Sequence, residues 1–344
     1  MIWSGATPCV ATFRIPEGGL VLGRELLEAT TDDRISRQHA RVDWRDRRFV
    51  VTDLGSRNGT YAGGHPLVDR EITVTPPSIV RTGRTVVVLL DDIRRFEGGT
   101  IQTEHDAIIG ASTAPLWRQV EAAARAGTNL VILGESGSGK GRMARGYARM
   151  RGKPEAVFNP MIQAVPLERV AGPQIETLIL EQIGKLGAQN TAALVRLLDT
   201  RPTVKVVTTA SMPLEHLAIP SDLIARLQGQ SLLLSPLRDR PDEMAYLVHD
   251  AVRTTEPGLQ IHSTLIEACL LRPWPGNVRE LVAAVSRCAH TVAQQGKNNV
   301  RGEDLDNDAG HLMVGAPTIN AAVTPTTVDK QRKKRSSTRS SGQS

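Results

Sequence analysis

Aromatic residues are scarce in this chain, whose 344 residues include only 4 Phe, 4 Trp and 3 Tyr. Proteins that bind RNA or single-stranded DNA stack bases on aromatic side chains, so this class of function is strongly disfavoured. Cysteine is scarce as well. The 3 cysteines form no C-x-x-C pair, which argues against a disulfide scaffold and suits a reducing compartment.

Long apolar runs are also missing. The longest aliphatic runs, such as residues 86–90 and 130–133, fall far below the ~18 apolar residues of a membrane span. The first residues lack the charged and apolar regions of an export signal. We therefore expect a cytoplasmic protein without membrane contact. The 8 histidines show no metal-ligand spacing, so no structural metal site is expected.

The net charge of +6 is unevenly distributed. Residues 329–344 contain six basic residues and one acidic residue, a net charge of +5, which leaves only +1 for the rest of the chain. Such a segment can contact DNA phosphates without base specificity, or it can simply add solubility. We expect residues 306–344 to form a disordered basic tail, because they contain too few apolar residues to build a core.

Two different patterns divide the remainder of the chain. Up to about residue 97, short β-branched and aliphatic runs alternate with turn residues, which predicts an all-β sandwich. After residue 107, helical spacing alternates with apolar strands, which is typical of an α/β domain with a parallel sheet. Pro241 then begins a helical segment. The expected organisation is a β-sandwich at 5–97, a linker at 98–106, an α/β subdomain at 107–240 and a helical lid at 241–305.

Three motifs lie in the β-rich segment: G-R at 23–24, S-R-Q-H at 36–39 and D-L-G-S-R-N-G-T at 53–60. In this order they resemble a forkhead-associated (FHA) domain, which binds phosphothreonine through loops at one end of a sandwich. A dianionic phosphate needs charge-assisted donors. The resemblance implies four ligand contacts, Arg24, Ser36, Arg37 and Asn58, with His39 and Gly23 supporting the loops. The alternative is an FHA fold that has lost binding and keeps its arginines as ordinary surface charges.

The string G-E-S-G-S-G-K at 134–140 follows a predicted strand and precedes a predicted helix. This context predicts a P-loop, in which backbone N–H groups surround phosphates and Lys140 reaches the β- and γ-phosphates. Gly141 occupies the position where a P-loop usually has a magnesium-binding Ser or Thr. The predicted ATP-binding residues of this loop are Gly134, Glu135, Ser136, Gly137, Ser138, Gly139, Lys140 and Gly141.

A second string, W-P-G-N-V-R-E-L at 274–281, is accompanied by I-I-G-A-S at 108–112 and S-P-L-R-D-R at 235–240. Together with the P-loop they resemble the AAA+ module of sigma-54-dependent transcription activators over residues 107–305. In that family Glu usually follows the P-loop lysine, so the absence of Ser or Thr is usual. The resemblance implies ATP as the cofactor and Arg279 as the sensor II arginine that faces the nucleotide. It also implies Asn159 as the nucleotide-switch asparagine, whose usual acidic partner in the family is Gln182 here.

Several functional positions of that family are changed here. The string T-L-I-L-E-Q-I-G at 177–184 places Glu181 at the family's magnesium-binding aspartate and Gln182 at its catalytic glutamate. An amide cannot accept a proton from water, so slow or absent hydrolysis is expected. Ser211 replaces the sensor I asparagine, and Pro220 replaces one of the two trans-acting arginines, which leaves Arg226. The catalytic set is therefore expected to be degenerate, and the binding of Mg²⁺ stays open.

The family's sigma-54 contact loop is missing as well. Only the 17 residues 160–176 separate Asn159 from Thr177, where active members carry a longer segment with the string G-A-F-T-G-A, which does not occur here. Remodelling of sigma-54 polymerase is therefore not expected from this chain.

Two functions follow from these motifs. The favoured one is a phosphothreonine-responsive transcription regulator, a pseudoenzyme that binds ATP, hydrolyses it poorly, and acts on sigma-54 activators or on other copies of its own chain. The alternative is an active ATPase that activates sigma-54 transcription. Thr326 lies in the string T-T-V-D, the Thr-x-x-Asp form that some FHA domains prefer, so the phosphorylated tail is a candidate ligand.

Overall fold

The amino-terminal part of the protein is a sandwich of two antiparallel sheets. The computed structural model describes residues 1–26, 32–67, 70–104 and 106–311. The strands of the sandwich are β1 (Trp3–Ser4), β2 (Thr7–Pro8), β3 (Leu20–Leu22), β4 (Ala40–Arg45), β5 (Arg48–Asp53), β6 (Thr60–Ala62), β7 (His65–Pro66), β8 (Glu71–Val74), β9 (Ser78–Thr82) and β10 (Thr85–Leu89). One sheet has the order β2-β1-β10-β9-β6-β7, and the other has the order β3-β4-β5-β8.

Both faces of the sheet that contains β9 and β10 are covered. Val80 and Val87 belong to the core between the two sheets. Their neighbours Ile79 and Val86 point to the opposite face, as the two-residue period of a strand requires, and join a second core. The predicted all-β sandwich is confirmed. Its first strand begins at Trp3, slightly before the expected boundary at residue 5.

A parallel α/β domain follows the sandwich. Its elements are β11 (Gln102–Glu104), β12 (Ala107–Ile109), α1 (Ala114–Ala126), β13 (Leu130–Leu133), α2 (Lys140–Arg151), β14 (Glu155–Phe158), α3 (Leu167–Val170), β15 (Thr177–Leu180), α4 (Ala188–Thr200), β16 (Lys205–Ala210), α5 (Ser221–Leu227) and β17 (Gln230–Leu233). The order β14-β15-β16-β13-β17 is parallel throughout, so the predicted α/β fold is confirmed. Because parallel strands end at one edge, the loops after β13, β15 and β16 meet there.

A helical lid completes the described chain. It contains α6 (Pro241–Thr255), β18 (Gln260–Ile261), α7 (Ser263–Leu270), α8 (Asn277–Gln294) and β19 (Asn299–Val300). Helix α6 begins at Pro241, where the missing N–H of proline costs nothing because the first turn has no partner for it. Helices α6, α7 and α8 bury their apolar faces against one another in the core that Ile79 and Val86 also join.

The lid packs directly on the sandwich. Four side chains of the sandwich lie in the same buried cluster as the lid helices: Ile2, Trp3, Ile79 and Val86. Arg81 of β9 crosses this boundary, because its Nε lies 2.6 Å from Oε2 of Glu267 on α7, and the two side chains are only 10% and 5% exposed. The Arg81 guanidinium also stacks on Tyr61, 3.8 Å from the ring centroid. The sandwich and the lid therefore share one core.

The expected linker and tail differ from the structure in detail. Residues 102–104, which we expected in a linker, form β11 and pair with β12. Gly310, expected in the tail, accepts a hydrogen bond from the Trp274 N–H at 3.0 Å and donates one to Glu280 at 3.1 Å. The basic residues of the tail and Thr326 lie outside the described residues. Among the described helices, none has both the length and the apolar character needed to cross a membrane.

Candidate functional site

The loops at one end of the sandwich enclose a cleft of about 660 Å³. The four predicted phosphothreonine contacts all line it: Arg24, Ser36, Arg37 and Asn58. Two further arginines, Arg34 and Arg57, line the same cleft and were not predicted from the sequence. Among the described residues, the acidic side chains that line the cleft with these four arginines are Glu25 and Asp33, so the described lining carries excess positive charge suited to a phosphate dianion.

Close backbone packing holds the two loops that carry the predicted arginines. A β-carbon at Gly23 would lie 2.0 Å from the carbonyl oxygen of Arg37, so only glycine fits. The next residue, Arg24, is hydrogen-bonded to the same loop. Its N–H donates to Ser36 O at 3.2 Å, and its Nη2 donates to Ile35 O at 2.9 Å. Gly23 therefore acts through the loop that it touches, as we expected.

His39 and Asp53 hold the loops behind the cleft. Nδ1 of the buried His39 accepts from Ser36 N–H at 3.2 Å, which leaves Nε2 as the donor toward Gly59 O at 3.1 Å. Asp53 accepts hydrogen bonds from Gly55, Ser56 and Thr60. Burial by itself would raise the pKa of Asp53, but these hydrogen bonds outweigh it and lower that pKa to about 2.

Asp32 is a supporting residue that the sequence did not reveal. Its buried carboxylate accepts from Arg34 N–H at 2.9 Å, from Arg84 N–H at 2.7 Å and from Thr85 Oγ1 at 2.9 Å. These bonds tie the loop that carries Ser36 to the turn between β9 and β10. No local pattern could have identified this role, because its partners lie about fifty residues away in the sequence.

The second site is a cleft of about 880 Å³ at the carboxyl edge of the parallel sheet. The P-loop joins β13 to α2, and Nζ of Lys140 donates to Gly134 O and Glu135 O, at 2.7 Å each. Oγ of Ser138 is buried and has no hydrogen-bond partner among the described residues. An orphaned hydroxyl and a helix N-terminus are both donors for an anion, so these residues fit a nucleotide phosphate.

Positive charge accumulates in this cleft. Burial, and after it the nearby Arg279, lower the pKa of Lys140 to about 8, while Glu135 and Glu181 act in the opposite direction. Arg279, the predicted sensor II arginine, lines the cleft with an exposed side chain. An anion bound beside the ammonium group would raise this pKa again.

The lid grips the P-loop through residues of the W-P-G-N-V-R-E-L string. Asn277 Nδ2 donates to Glu135 Oε2 at 3.1 Å and to Ser136 O at 3.0 Å, while its Oδ1 accepts from Leu237 N–H at 2.7 Å. Arg238 holds the same Glu135 carboxylate with two hydrogen bonds, at 2.7 and 3.0 Å. No role was predicted for Asn277 or Arg238, although both lie within the strings that carried the resemblance.

The acidic and switch positions lie together, with one difference from expectation. Asn159 Nδ2 donates to Glu181 Oε2 at 2.9 Å, so the partner of the switch asparagine is Glu181 and not Gln182. Glu181 Oε1 also lies 3.1 Å from Nη2 of Arg145 on α2, which was not predicted. Gln182 lines the cleft as an exposed side chain with a left-handed backbone, φ 53°.

The remaining predicted positions divide between the inside and the outside of the cleft. Ser211 lines it after β16. Arg226 lies outside, on α5, where it is paired with Asp199 at 2.7 Å and with Asp222. A position outside its own cleft is what an arginine that acts on a neighbouring subunit requires.

The residues of this site do not fit a magnesium ion. Gly141 supplies no hydroxyl, and both oxygens of Glu181 are already engaged, one by Arg145 and one by Asn159. A cationic guanidinium beside the Glu181 carboxylate opposes a divalent cation. Within the described ranges, no cluster of three His, Cys, Asp or Glu side chains could hold a metal ion.

The segment that replaces the sigma-54 contact loop is short and apolar. It includes α3 and exposes Met161 and Ile162, whose side chains are 62% and 80% exposed.

Comparison with protein families identifies both parts of the chain. Residues 20–83 match the FHA domain, and residues 109–237 match the Sigma-54 interaction domain. The alginate biosynthesis transcriptional regulatory protein AlgB of Pseudomonas aeruginosa is 27% identical over 290 residues, which cover 70% of this chain and 62% of AlgB. The DNA-binding transcriptional regulator NtrC of Rhizobium meliloti is 28% identical over 263 residues, 62% of this chain and 53% of NtrC.

Solved structures agree with the fold of the α/β part. NtrX from Brucella abortus superimposes with a TM-score of 0.51 at 17% identity, over 60% of this chain and 57% of NtrX. Its complex with ADP gives a TM-score of 0.50 at 19% identity, over 63% of this chain and 58% of NtrX. The chain thus spans only about half to three fifths of the regulators AlgB and NtrC and of NtrX.

Proposed function

The chain joins an FHA domain to a Sigma-54 interaction domain, and from this premise we propose that it is a phosphothreonine-responsive transcription regulator that binds ATP without efficient hydrolysis. The observation that carries the proposal is a contrast between its two clefts. Arg24, Ser36, Arg37 and Asn58 all line the first cleft, whereas the second cleft is lined by Lys140 and by Gln182, which stands at the position of the family's catalytic glutamate. As a transcription regulator, it acts in the cytoplasm.

The FHA cleft supplies the input. Its four arginines favour a dianionic phosphate over a neutral threonine, and Asn58 offers an amide for the backbone of an extended peptide. The ligand is a phosphothreonine-containing protein, and the tail around Thr326 is one candidate source.

Titration calorimetry of the full chain with a library of phosphothreonine peptides tests the FHA proposal. Arg24→Ala should abolish binding, whereas Arg48→Ala, at the opposite end of β5, should leave it unchanged. Equal affinity of the Arg24→Ala variant would refute the assignment of Arg24. A peptide of the tail phosphorylated at Thr326 that binds no better than its unphosphorylated form would remove the tail as ligand.

The nucleotide cleft supplies a binding function. ATP, once bound, brings phosphate charge that the P-loop N–H groups, the Ser138 hydroxyl and Lys140 are positioned to neutralise. Arg279 lies on the lid side of the same cleft, and Asn277 ties the lid to the P-loop. Nucleotide binding is therefore expected to fix the lid against the α/β domain.

Poor hydrolysis follows from the residues around that cleft. Gln182 cannot accept a proton from the attacking water, and Pro220 cannot provide positive charge to a neighbouring subunit. Arg226 is held by two carboxylates, which it must leave in order to act in trans. Without the G-A-F-T-G-A loop, we infer that the chain acts by assembling with competent sigma-54 activators or with further copies of itself.

A second candidate function is an active ATPase. The hydrogen bond from Asn159 to Glu181 favours it, because the Glu181 carboxylate, which lies beside the switch asparagine, is a group that can accept a proton. Measurement of ATP binding and turnover, with Lys140→Ala as the control, separates the two. Turnover above about 1 per second, abolished in the control, would establish the enzyme and overturn the pseudoenzyme.

A further inference from the structure

The carboxylate of Glu181 fills the space beside Gly141, the second residue of α2. A β-carbon at Gly141 would lie 2.7 Å from Glu181 Oε1 and 3.2 Å from Arg145 Nη1. A serine, threonine or glutamate at position 141 could not be accommodated without moving this pair. Gly141 and Glu181 are therefore complementary in size, because the glutamate side chain, longer than the family's aspartate, takes the room that a side chain at position 141 would need.

A guanidinium occupies the place beside this carboxylate where a P-loop protein holds its divalent cation. Magnesium binds oxygen at about 2 Å, so an ion on Glu181 Oε1 would lie within about 5 Å of Arg145, whose Nη2 is 3.1 Å from that oxygen. Repulsion between the two cations would be substantial in a partly buried site. The other carboxylate oxygen is occupied by Asn159.

The charges that line the cleft point the same way. Two acidic side chains, Glu181 and Glu243, face six basic ones: Lys140, Arg142, Arg145, Lys185, Arg240 and Arg279. The excess of four positive charges equals the charge of fully ionised ATP without a metal, whereas the magnesium complex of ATP carries only half that charge. Protein side chains here already provide the neutralisation that the metal normally supplies.

We propose that this cleft binds ATP without magnesium and that the Arg145 guanidinium takes the position and part of the role of the metal. Arginine suits this role, because its planar fork donates several N–H groups and stays charged beside phosphate. The inference rests on the proposed nucleotide binding and adds the ionic form of the nucleotide that the site selects.

Calorimetric titration of the full chain with ATP, in excess EDTA and in excess magnesium, tests the inference. The affinity for ATP in EDTA should equal or exceed the affinity in magnesium. Binding that is more than about fivefold tighter with magnesium would overturn this inference and leave nucleotide binding intact. Absence of binding in both buffers would overturn the proposed nucleotide binding together with the inference.

Two variants distinguish a specific role of Arg145 in ATP binding from the general positive charge of helix α2. Arg145→Gln should weaken binding in EDTA about tenfold, the effect of losing one charge-assisted hydrogen bond. Arg149→Gln is the matched control, because Arg149 lies one turn later and pairs with Asp106 outside the cleft. Equal losses in the two variants would refute a specific role for Arg145.

The double variant Gly141→Ser with Glu181→Asp should restore a preference for magnesium. The shorter carboxylate frees the room that the new hydroxyl needs, and together they provide the usual oxygen ligands. We expect magnesium to tighten ATP binding about tenfold in this variant. Thermal melting checks that each variant is folded, and binding by the folded double variant that remains indifferent to magnesium would contradict the proposed complementarity in size.

Discussion

Removal of the charge on Glu267 should weaken the contact between the sandwich and the lid. The change Glu267→Gln keeps the shape of the side chain and leaves Arg81 charged, 10% exposed and without its carboxylate. Loss of one partner of a buried ion pair costs about 3–5 kcal/mol. The stack of Arg81 on Tyr61 is retained and is worth about 1 kcal/mol, so we expect a loss near the lower limit, about 3 kcal/mol.

Replacement of both partners should have a much smaller effect. The double variant Arg81→Met with Glu267→Leu removes both charges together, so no unpaired ion stays buried. Such replacements are typically neutral within about 1 kcal/mol or stabilising. Glu267 Oε1 also has no hydrogen-bond partner among the described residues, which makes the native pair less favourable than a fully satisfied one.

Hydrogen exchange read by mass spectrometry measures these changes locally, because the opening free energy of β9 and α7 is reported separately from that of the whole chain. The matched control is Glu121→Gln, which breaks an exposed pair with Arg125 on α1 and should cost less than about 0.5 kcal/mol. If Glu267→Gln raised exchange in β9 and α7 no more than Glu121→Gln does in α1, the reasoning from burial would be refuted.

Two further predictions concern Gly23 in the sandwich and His262, the N-cap residue of α7 in the lid. Gly23→Ala should destabilise the fold by about 1–3 kcal/mol in thermal denaturation, because its β-carbon would collide with Arg37 O. The control Gly18→Ala has free space around its β-carbon and should leave the stability unchanged. Equal melting points of the two variants would contradict the packing argument. Stability should also fall as pH decreases from about 6.5 toward 4, because burial and nearby arginines lower the pKa of folded His262 to about 4 while the unfolded chain binds the proton more readily. His262→Asn keeps an N-cap acceptor for Thr264 and should flatten this part of the pH profile; an unchanged profile would assign the loss to other groups.

The secondary structure and the main sites could be predicted because their signals are local. Alternating strands with turn residues predict the sandwich, and a glycine-rich string between a strand and a helix predicts the P-loop. The residues Arg24 and Asn58 meet in one cleft, as their family positions implied. Each of these inferences depends on a few neighbouring residues, and tertiary packing did not overrule them.

Roles that depend on distant partners could not be predicted. The carboxylate of Asp32 is paired fifty residues away, and Arg81 finds Glu267 across almost two hundred residues. Asn159 was expected to have its partner at position 182, but it donates its hydrogen bond to Glu181. In each case the deciding quantity is a tertiary distance, for which one sequence contains no pattern.

The core shared by the sandwich and the lid limits how far the two domains are interchangeable. A fragment cut at residues 5–97 would lose Ile2 and Trp3 and would expose Ile79 and Val86 to water. An FHA domain transplanted from another protein would need an apolar face and a cation that match α7. In this chain the outer face of the FHA sheet packs into the core of the lid helices. The two domains can therefore change in evolution only together along that surface.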